Sequence, residues 1–351
     1  MANLLVYGSY GYTGRLVAEK AVAEGLDPIL AGRDAEAVLD QADDLDCRSR
    51  VFTTEHAKTV ADFLEDVDVV LNCAGPFAHT ADTMIDGCLD VGTHYLDVTG
   101  EWRVFDAIQQ RGEAARDAGV MLLPGVGFDV VPSDCLAAHL HDRLPSANHL
   151  RLALSTPGGM SRGTALTMVE NLGKGGVIRE DGVLVDVPLA AREREVAFSH
   201  GDRTVMSIPW GDVVTAHRST GIPNIEVYAE TNPKTVSRLR KLRKLSPVLG
   251  SSPVQAILKK YVNWRISGPD EETLEAGRGE LWGEVSDGVR RKVSRLHTPN
   301  PYALTRDTAV LTAKKAQRGD VTPGFQTPST AYGTDLVLEL DGVERVDVGG
   351  V

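Results

Sequence analysis

The sequence predicts an α/β protein: a doubly wound parallel sheet followed by a second, α+β domain. Three observations carry that expectation. Through the first 130 residues, short apolar runs alternate with longer helix-like segments. A glycine-rich turn stands directly after the first apolar run. Beyond Pro132 and Ser133 the rhythm changes.

Taken in order, residues 4–7, 28–31, 50–53, 67–72, 95–98 and 120–124 read as strands, and 13–24, 35–42, 57–64, 81–91 and 104–118 as helices. Apolar strands separated by helical segments of about 10–15 residues form βαβ units, and six of them suit a doubly wound sheet buried on both faces. Ser133 is placed to cap a helix running to Arg143. Beyond it, strand-like runs at 149–155, 183–189, 213–215 and 224–229 mix with helices, and 300–316 reads as another helix.

Composition narrows the function class. With 351 residues, two domains are expected at roughly 150 residues each. A net charge of −12 argues against a general nucleic-acid binder, which needs a basic surface to displace counterions. No apolar run is long enough to span a bilayer, and the first residues lack the basic and apolar regions of a signal peptide, so a cytoplasmic protein is expected. Cys47, Cys73, Cys88 and Cys135 form no CxxC pair, and no metal site is indicated.

One segment departs from the average. Residues 231–268 hold nine basic side chains and no acidic one, so this +9 stands against −21 on the rest of the chain. Val236, Leu239, Leu242 and Leu245 are interleaved with those charges at near-helical spacing. Such a stripe first suits a solvated helix packing its leucines on its own domain or on a homodimer partner, and otherwise peripheral contact with an anionic membrane.

The strongest local signal is Gly8, Ser9, Tyr10, Gly11, Tyr12, Thr13 and Gly14, between the first strand and the first helix. This is the position of the dinucleotide fingerprint of a Rossmann domain, although the first gap is two residues rather than one. Gly8 permits the tight turn, Gly11 lets the backbone approach a pyrophosphate, and Gly14 allows close strand–helix packing. The second strand ends in Gly32, Arg33 and Asp34 rather than in an acidic residue placed for a ribose hydroxyl. Gly32 leaves room, Arg33 can pair with a 2′-phosphate, and Asp34 reads as the next helix's N-cap, so the cofactor expected is NADP(H).

Ligands of open α/β sheets sit beyond the carboxyl ends of the strands. The fourth strand ends Asn72, Cys73, Ala74, Gly75 and Pro76, small residues that let the loop pass close to the nicotinamide ribose. The fifth ends at Asp97, with Glu101 following; both could serve as acid or base or cap the next helix. The sixth runs into Gly125, Val126, Gly127 and Phe128, where two glycines suggest close approach to a substrate. Proton-donor candidates are Tyr95, Asp97, His79 and Glu101, with no decision among them. Arg162, in the glycine-rich run 158–164, could receive an anionic substrate group or be a surface arginine.

GSYGYTGRLVAE at 8–19, AGRD at 31–34, NCAGPF at 72–77, GTHYLDVTGE at 92–101 and GFDVVPSD at 127–134 resemble the saccharopine dehydrogenase-like superfamily. STGIPNIEVY at 219–228 and PGFQTPSTAYG at 323–333 are similar to its branch of trans-acting enoyl reductases and saccharopine dehydrogenase-like oxidoreductases. The resemblance implies an NADP(H)-binding Rossmann domain at 1–133, an α+β substrate and dimerisation domain at 134–297, and a segment at 298–351 returning towards the first. It also implies a link to lipid metabolism in some members, and it assigns no catalytic residue.

Other chemistries lack their motifs. No Tyr has Lys four positions later, no phosphate-binding GxxxxGK[ST] loop occurs, and Ser161 in a Gly-x-Ser-x-Gly string does not follow a strand directly. Two functions remain open: an oxidoreductase delivering hydride to a C=C, C=O or C=N bond of an apolar or lipid-like small molecule, or a non-catalytic NADP(H) sensor whose occupancy controls an interaction.

Overall fold

The computed structural model describes residues 3–156, 165, 166, 169, 175–242, 251–265 and 276–349. It divides into two compact units, Met1–Val131 with Tyr302–Gly333, and Pro132–Pro301 with Thr334–Val351.

The first unit is a seven-stranded sheet in the order β15-β6-β5-β4-β1-β2-β3. Its strands are β1 (Leu4–Tyr7), β2 (Ile29–Gly32), β3 (Ser49–Val51), β4 (Val69–Asn72), β5 (His94–Asp97), β6 (Met121–Leu123) and β15 (Gly324–Phe325). Every pairing is parallel. The order reverses at β1, which pairs β2 on one side and β4 on the other, and this switch point opens the crevice where such sheets bind ligands. Apolar residues on both faces explain the unbroken hydrophobic strands: Leu5, Val70, Ile85 and Ile108 pack on one side, and Leu4, Val6, Val17 and Leu71 on the other.

Most predicted elements form within a residue or two. The segment 104–118 is instead two helices, Trp102–Gln110 and Gly112–Asp117. A Cβ on Gly112 would lie 3.1 Å from Phe325 Cβ, so the break lets returning strand β15 pack against it. The helix Val131–Arg143 begins before Ser133, which is buried inside its first turn rather than capping it. The helix Pro301–Gln317 sets Ala309, Val310 and Ala313 against the first unit's core. Residues 334–351 belong to the second unit, where β16 (Glu344–Val348) pairs β14 (Arg291–Pro299).

The second unit is a mixed sheet in which β7 (His149–Ser155) runs parallel to β12 (Asn224–Glu230) and antiparallel to β13 (Arg278–Ser286). Residues 213–215 are not a strand. They lie in the helix Asp212–Thr220, which buries Val213, Val214 and Ala216 and ends on Gly221 at φ 71°. The β-branched run reads locally as a strand, but tertiary burial of that helical face overrides a weak propensity. Strands β10 (Glu193–Phe198) and β13 escape a hydrophobic reading because Arg and Glu alternate with their apolar residues.

Candidate functional site

The turn after β1 is held by the neighbouring strand. Gly8 N–H and Ser9 N–H donate to Ala31 C=O at 2.7 and 3.2 Å, and Gln41 Nε2 donates to Ser9 C=O at 3.0 Å. Gly8 has φ +75°, in the region glycine alone adopts freely, and a Cβ there would lie 2.8 Å from Ala74 Cβ. A Cβ on Gly14 would lie 2.2 Å from Gly8 O, so the helix Tyr12–Ala23 rests on the turn's carbonyl. That helix has no side-chain cap and no acidic residue in its first turn, leaving its positive end for an anion. Ser9 is fully buried and its Oγ has no partner among the described residues. A cradle with no room for Cβ atoms, a bare helix start and an orphaned hydroxyl fit a pyrophosphate.

At the end of β2 the room over Gly32 is taken by the chain itself: a Cβ there would lie 2.4 Å from the Tyr10 ring. The glycine accommodates Tyr10, a correction to its reading as space for a phosphate. Arg33 is exposed and has no ion pair among the described residues. Asp34 caps the helix Ala35–Leu45 through Ala37 N–H at 3.3 Å.

The loop after β4 is tied down by Asn72, whose Oδ1 accepts from Ala74 N–H at 3.0 Å while its Nδ2 donates to Tyr95 Oη at 3.3 Å. Tyr95 is fully buried and donates to Asp97 Oδ2 at 2.7 Å; Asp97 Oδ1 accepts from Thr99 N–H and Gly125 N–H, both at 2.9 Å. Burial pushes Asp97 up to about 6, against those hydrogen bonds, and lifts Tyr95 well above its usual range. Both candidates are thus committed to joining the ends of β4, β5 and β6. Glu101 holds the N-cap position of the helix Trp102–Gln110, yet its Oε1 accepts from Phe77 N–H at 2.8 Å instead of capping that helix. His79 is exposed in the short turn Phe77–His79. Burial raises the Cys73 thiol to about 12, so it stays protonated and unreactive at neutral pH.

The glycines after β6 approach the protein rather than open space. A Cβ on Gly127 would lie 2.9 Å from Thr305 Cγ2, and Phe128, itself buried, donates its N–H to Thr305 Oγ1 at 3.0 Å. The small size of Gly127 thus serves packing against the returning helix, whatever contact Gly127 and Phe128 make with a substrate. Arg162 and Ser161 lie outside the described residues.

Sequence reading passed over Asp129. Burial holds its carboxyl up at about 7, and a Cβ on Gly100 would lie 2.4 Å from its Oδ2. The group therefore sits where the loops after β5 and β6 meet, at the carboxyl edge of the sheet. The signal available in the sequence was the alternation of glycines with one acid in 125–129, read for its glycines alone.

In the second unit, a cavity of about 820 Å³ opens at the carboxyl ends of β7 and β12, lined by Ser155, His200, Arg203, Glu230, Arg278 and Glu280 among others. His200 bridges Glu230 at 3.3 Å and Glu280 at 3.4 Å, Ser199 N–H donates to Glu280 at 2.8 Å, and Arg203 pairs Glu230 at 3.3 Å. These charged side chains share the wall with apolar ones such as Leu154, Ala229 and Pro233, and more of the lining is apolar than polar.

Residues 4–123 match the family model described as the saccharopine dehydrogenase NADP binding domain. A human saccharopine dehydrogenase-like oxidoreductase is 29% identical over 153 residues, covering 38% of this chain and 35% of the relative. A trans-acting enoyl reductase of Mycobacterium ulcerans is 28% identical over 149 residues, covering 40% of this chain and 36% of the relative. The matches thus span little more than a third of these relatives. Among solved structures, apo saccharopine dehydrogenase (L-Glu forming) from Saccharomyces cerevisiae superposes with a TM-score of 0.68 at 11% identity, over 99% of this chain and 100% of that one, a likeness of fold.

Proposed function

We propose that this chain, whose residues 4–123 match the saccharopine dehydrogenase NADP binding domain, is an NADP(H)-dependent oxidoreductase acting on a C=C, C=O or C=N bond of a small, apolar or lipid-like molecule. The observation that carries the reading is the cradle at Gly8 and Gly14, closed to any Cβ and set at the switch point of the sheet.

The cofactor, when bound, supplies the hydride, and the protein's task is to bind, orient, exclude water and hold a proton. The turn and the first helix take the pyrophosphate, and Ser9 Oγ is a ready hydrogen-bonding group beside it. Arg33 selects the 2′-phosphate through a charge-assisted contact. The buried Asn72–Tyr95–Asp97 linkage keeps the loops at the carboxyl edge rigid. Asp129 holds the proton: with its carboxyl near 7, the acid form is available at neutral pH and is regained without a large free-energy cost. The second unit serves as the substrate domain. A lipid-like substrate would be met at a membrane surface, and segment 231–268 is the part of the chain suited to one.

The test is oxidation of NADPH, followed at its nicotinamide absorbance, against a panel of enoyl, ketone and imine substrates and a lipid extract. Turnover supports the reading. Tight NADPH binding with no oxidation by any member would favour the sensor.

A further inference from the structure

The basic segment has two described helices, Pro233–Leu242 and Ser252–Arg265, and they differ in kind. In the first, Val236 is 1% exposed and Arg240 pairs Glu193 at 2.9 Å, so its apolar and basic side chains are partly engaged by the chain itself. The second carries two apolar faces. Its inner face sets Val262 and Leu258 against Ala165, Leu166 and Val169. On the other, Ile257, Tyr261 and Trp264 are 68%, 56% and 75% exposed.

At about 100° per residue, those three side chains fall within an arc of roughly 60° on the helix surface. On the same wheel Lys260 and Arg265 flank the stripe, each roughly 40° beyond one of its edges. Arg265 lies over the Trp264 ring at 4.9 Å, and the Tyr261 and Trp264 rings are 6.4 Å apart. Scattered exposed apolar residues are ordinary, whereas a contiguous stripe with two aromatics and a basic rim is not.

We propose that the helix Ser252–Arg265 is an in-plane anchor that docks on an anionic lipid surface, with Ile257, Tyr261 and Trp264 entering the headgroup boundary and Lys260 and Arg265 meeting lipid phosphates. The inference sharpens the membrane contact offered above for 231–268 and rests on charge complementarity. Trp and Tyr favour the interface because each has an apolar ring and a polar tip, and no Asp or Glu stands between 231 and 268, the nearest acids after the helix being Asp270, Glu271 and Glu272. The acidic remainder of the chain does not cancel this, because charges beyond about 8 Å are largely screened at physiological salt.

The experiment is cosedimentation of the full chain, without cofactor or substrate, on vesicles of phosphatidylcholine alone and with phosphatidylserine, with light scattering of the free protein beside it. Binding is expected only where phosphatidylserine is present. Lys260→Gln with Arg265→Gln should weaken it about thirtyfold, at about one factor of five per basic side chain. Trp264→Ala should weaken it by about tenfold through lost apolar burial, and its 75% exposure leaves folding undisturbed. Vesicle-bound brominated lipid should quench wild-type fluorescence more than that of Trp264→Phe. Three results would overturn the proposal: no binding at low salt, undiminished binding by both variants, or a dimer that Trp264→Ala converts to a monomer, which would make the stripe a contact between copies. None depends on turnover, so failure here leaves the oxidoreductase reading intact.

Discussion

Gly14→Ala is the sharpest probe of the cradle. The new Cβ would lie 2.2 Å from Gly8 O, 2.9 Å from Gly8 C and 2.9 Å from Ser9 Cα, all backbone atoms that cannot rotate away. An ordinary contact needs about 3.4 Å, so the helix start must withdraw by about an ångström. Two effects follow. Overpacking of this kind costs about 1–3 kcal/mol of stability. Displacing the first-turn N–H groups by that distance should weaken NADPH binding by about two orders of magnitude, since an ångström of misplacement has that scale of effect at an oriented site. Gly11→Ala is the control, because its Cβ would meet only Gly8 O at 3.3 Å and a few tenths of an ångström of adjustment suffices. Fluorescence titration of NADPH, with thermal melts in parallel, measures both effects. If Gly14→Ala bound NADPH within about threefold of wild type while folded, the cradle would not be the pyrophosphate site, because the predicted withdrawal would have been felt.

Three further outcomes are expected. Arg33→Ala should weaken NADPH about tenfold or more and leave NADH nearly unchanged, as a charge-assisted hydrogen bond to phosphate is worth about 1.5–3 kcal/mol; equal loss for both cofactors would remove Arg33 from that role. Asp129→Asn should keep NADPH affinity and lose most reductive turnover. Because burial lifts Asp129 to about 7, its acid form predominates below that pH and is lost above it, so wild-type reduction should fall as pH rises past about 7; a flat profile would argue for another donor. Asp97→Asn cannot accept from Thr99 N–H, Gly125 N–H and Tyr95 Oη as the carboxylate does, and denaturant unfolding should report a loss of about 1–3 kcal/mol; an unchanged midpoint would mean the linkage is not what holds those strand ends.

Local patterning determined much of this protein. Unbroken apolar runs such as Leu4–Tyr7 and Val69–Asn72 identify strands buried on both faces, and the turn from Gly8 to Gly14 can be read as a phosphate cradle because the constraint is one of backbone geometry within seven residues. Asp34 was legible as a cap for the same reason. What tertiary structure alone decided depends on residues far apart in the chain. Gly127 makes room for Thr305, Gly112 for Phe325, and Gly32 for Tyr10, so a glycine's purpose follows from a neighbour that sequence does not show. Which acid braces the strand ends was likewise undecidable locally: Asp97 and Asp129 look alike in sequence and burial raises both carboxyls, to about 6 and about 7, yet it is Asp97 that accepts from Tyr95, Thr99 and Gly125. The same holds for the basic segment, where Val236 turned inward and Trp264 turned out. Periodicity specifies that a helix has an apolar face; only packing specifies which face finds a partner, because burial is a property of the assembled core and not of the segment.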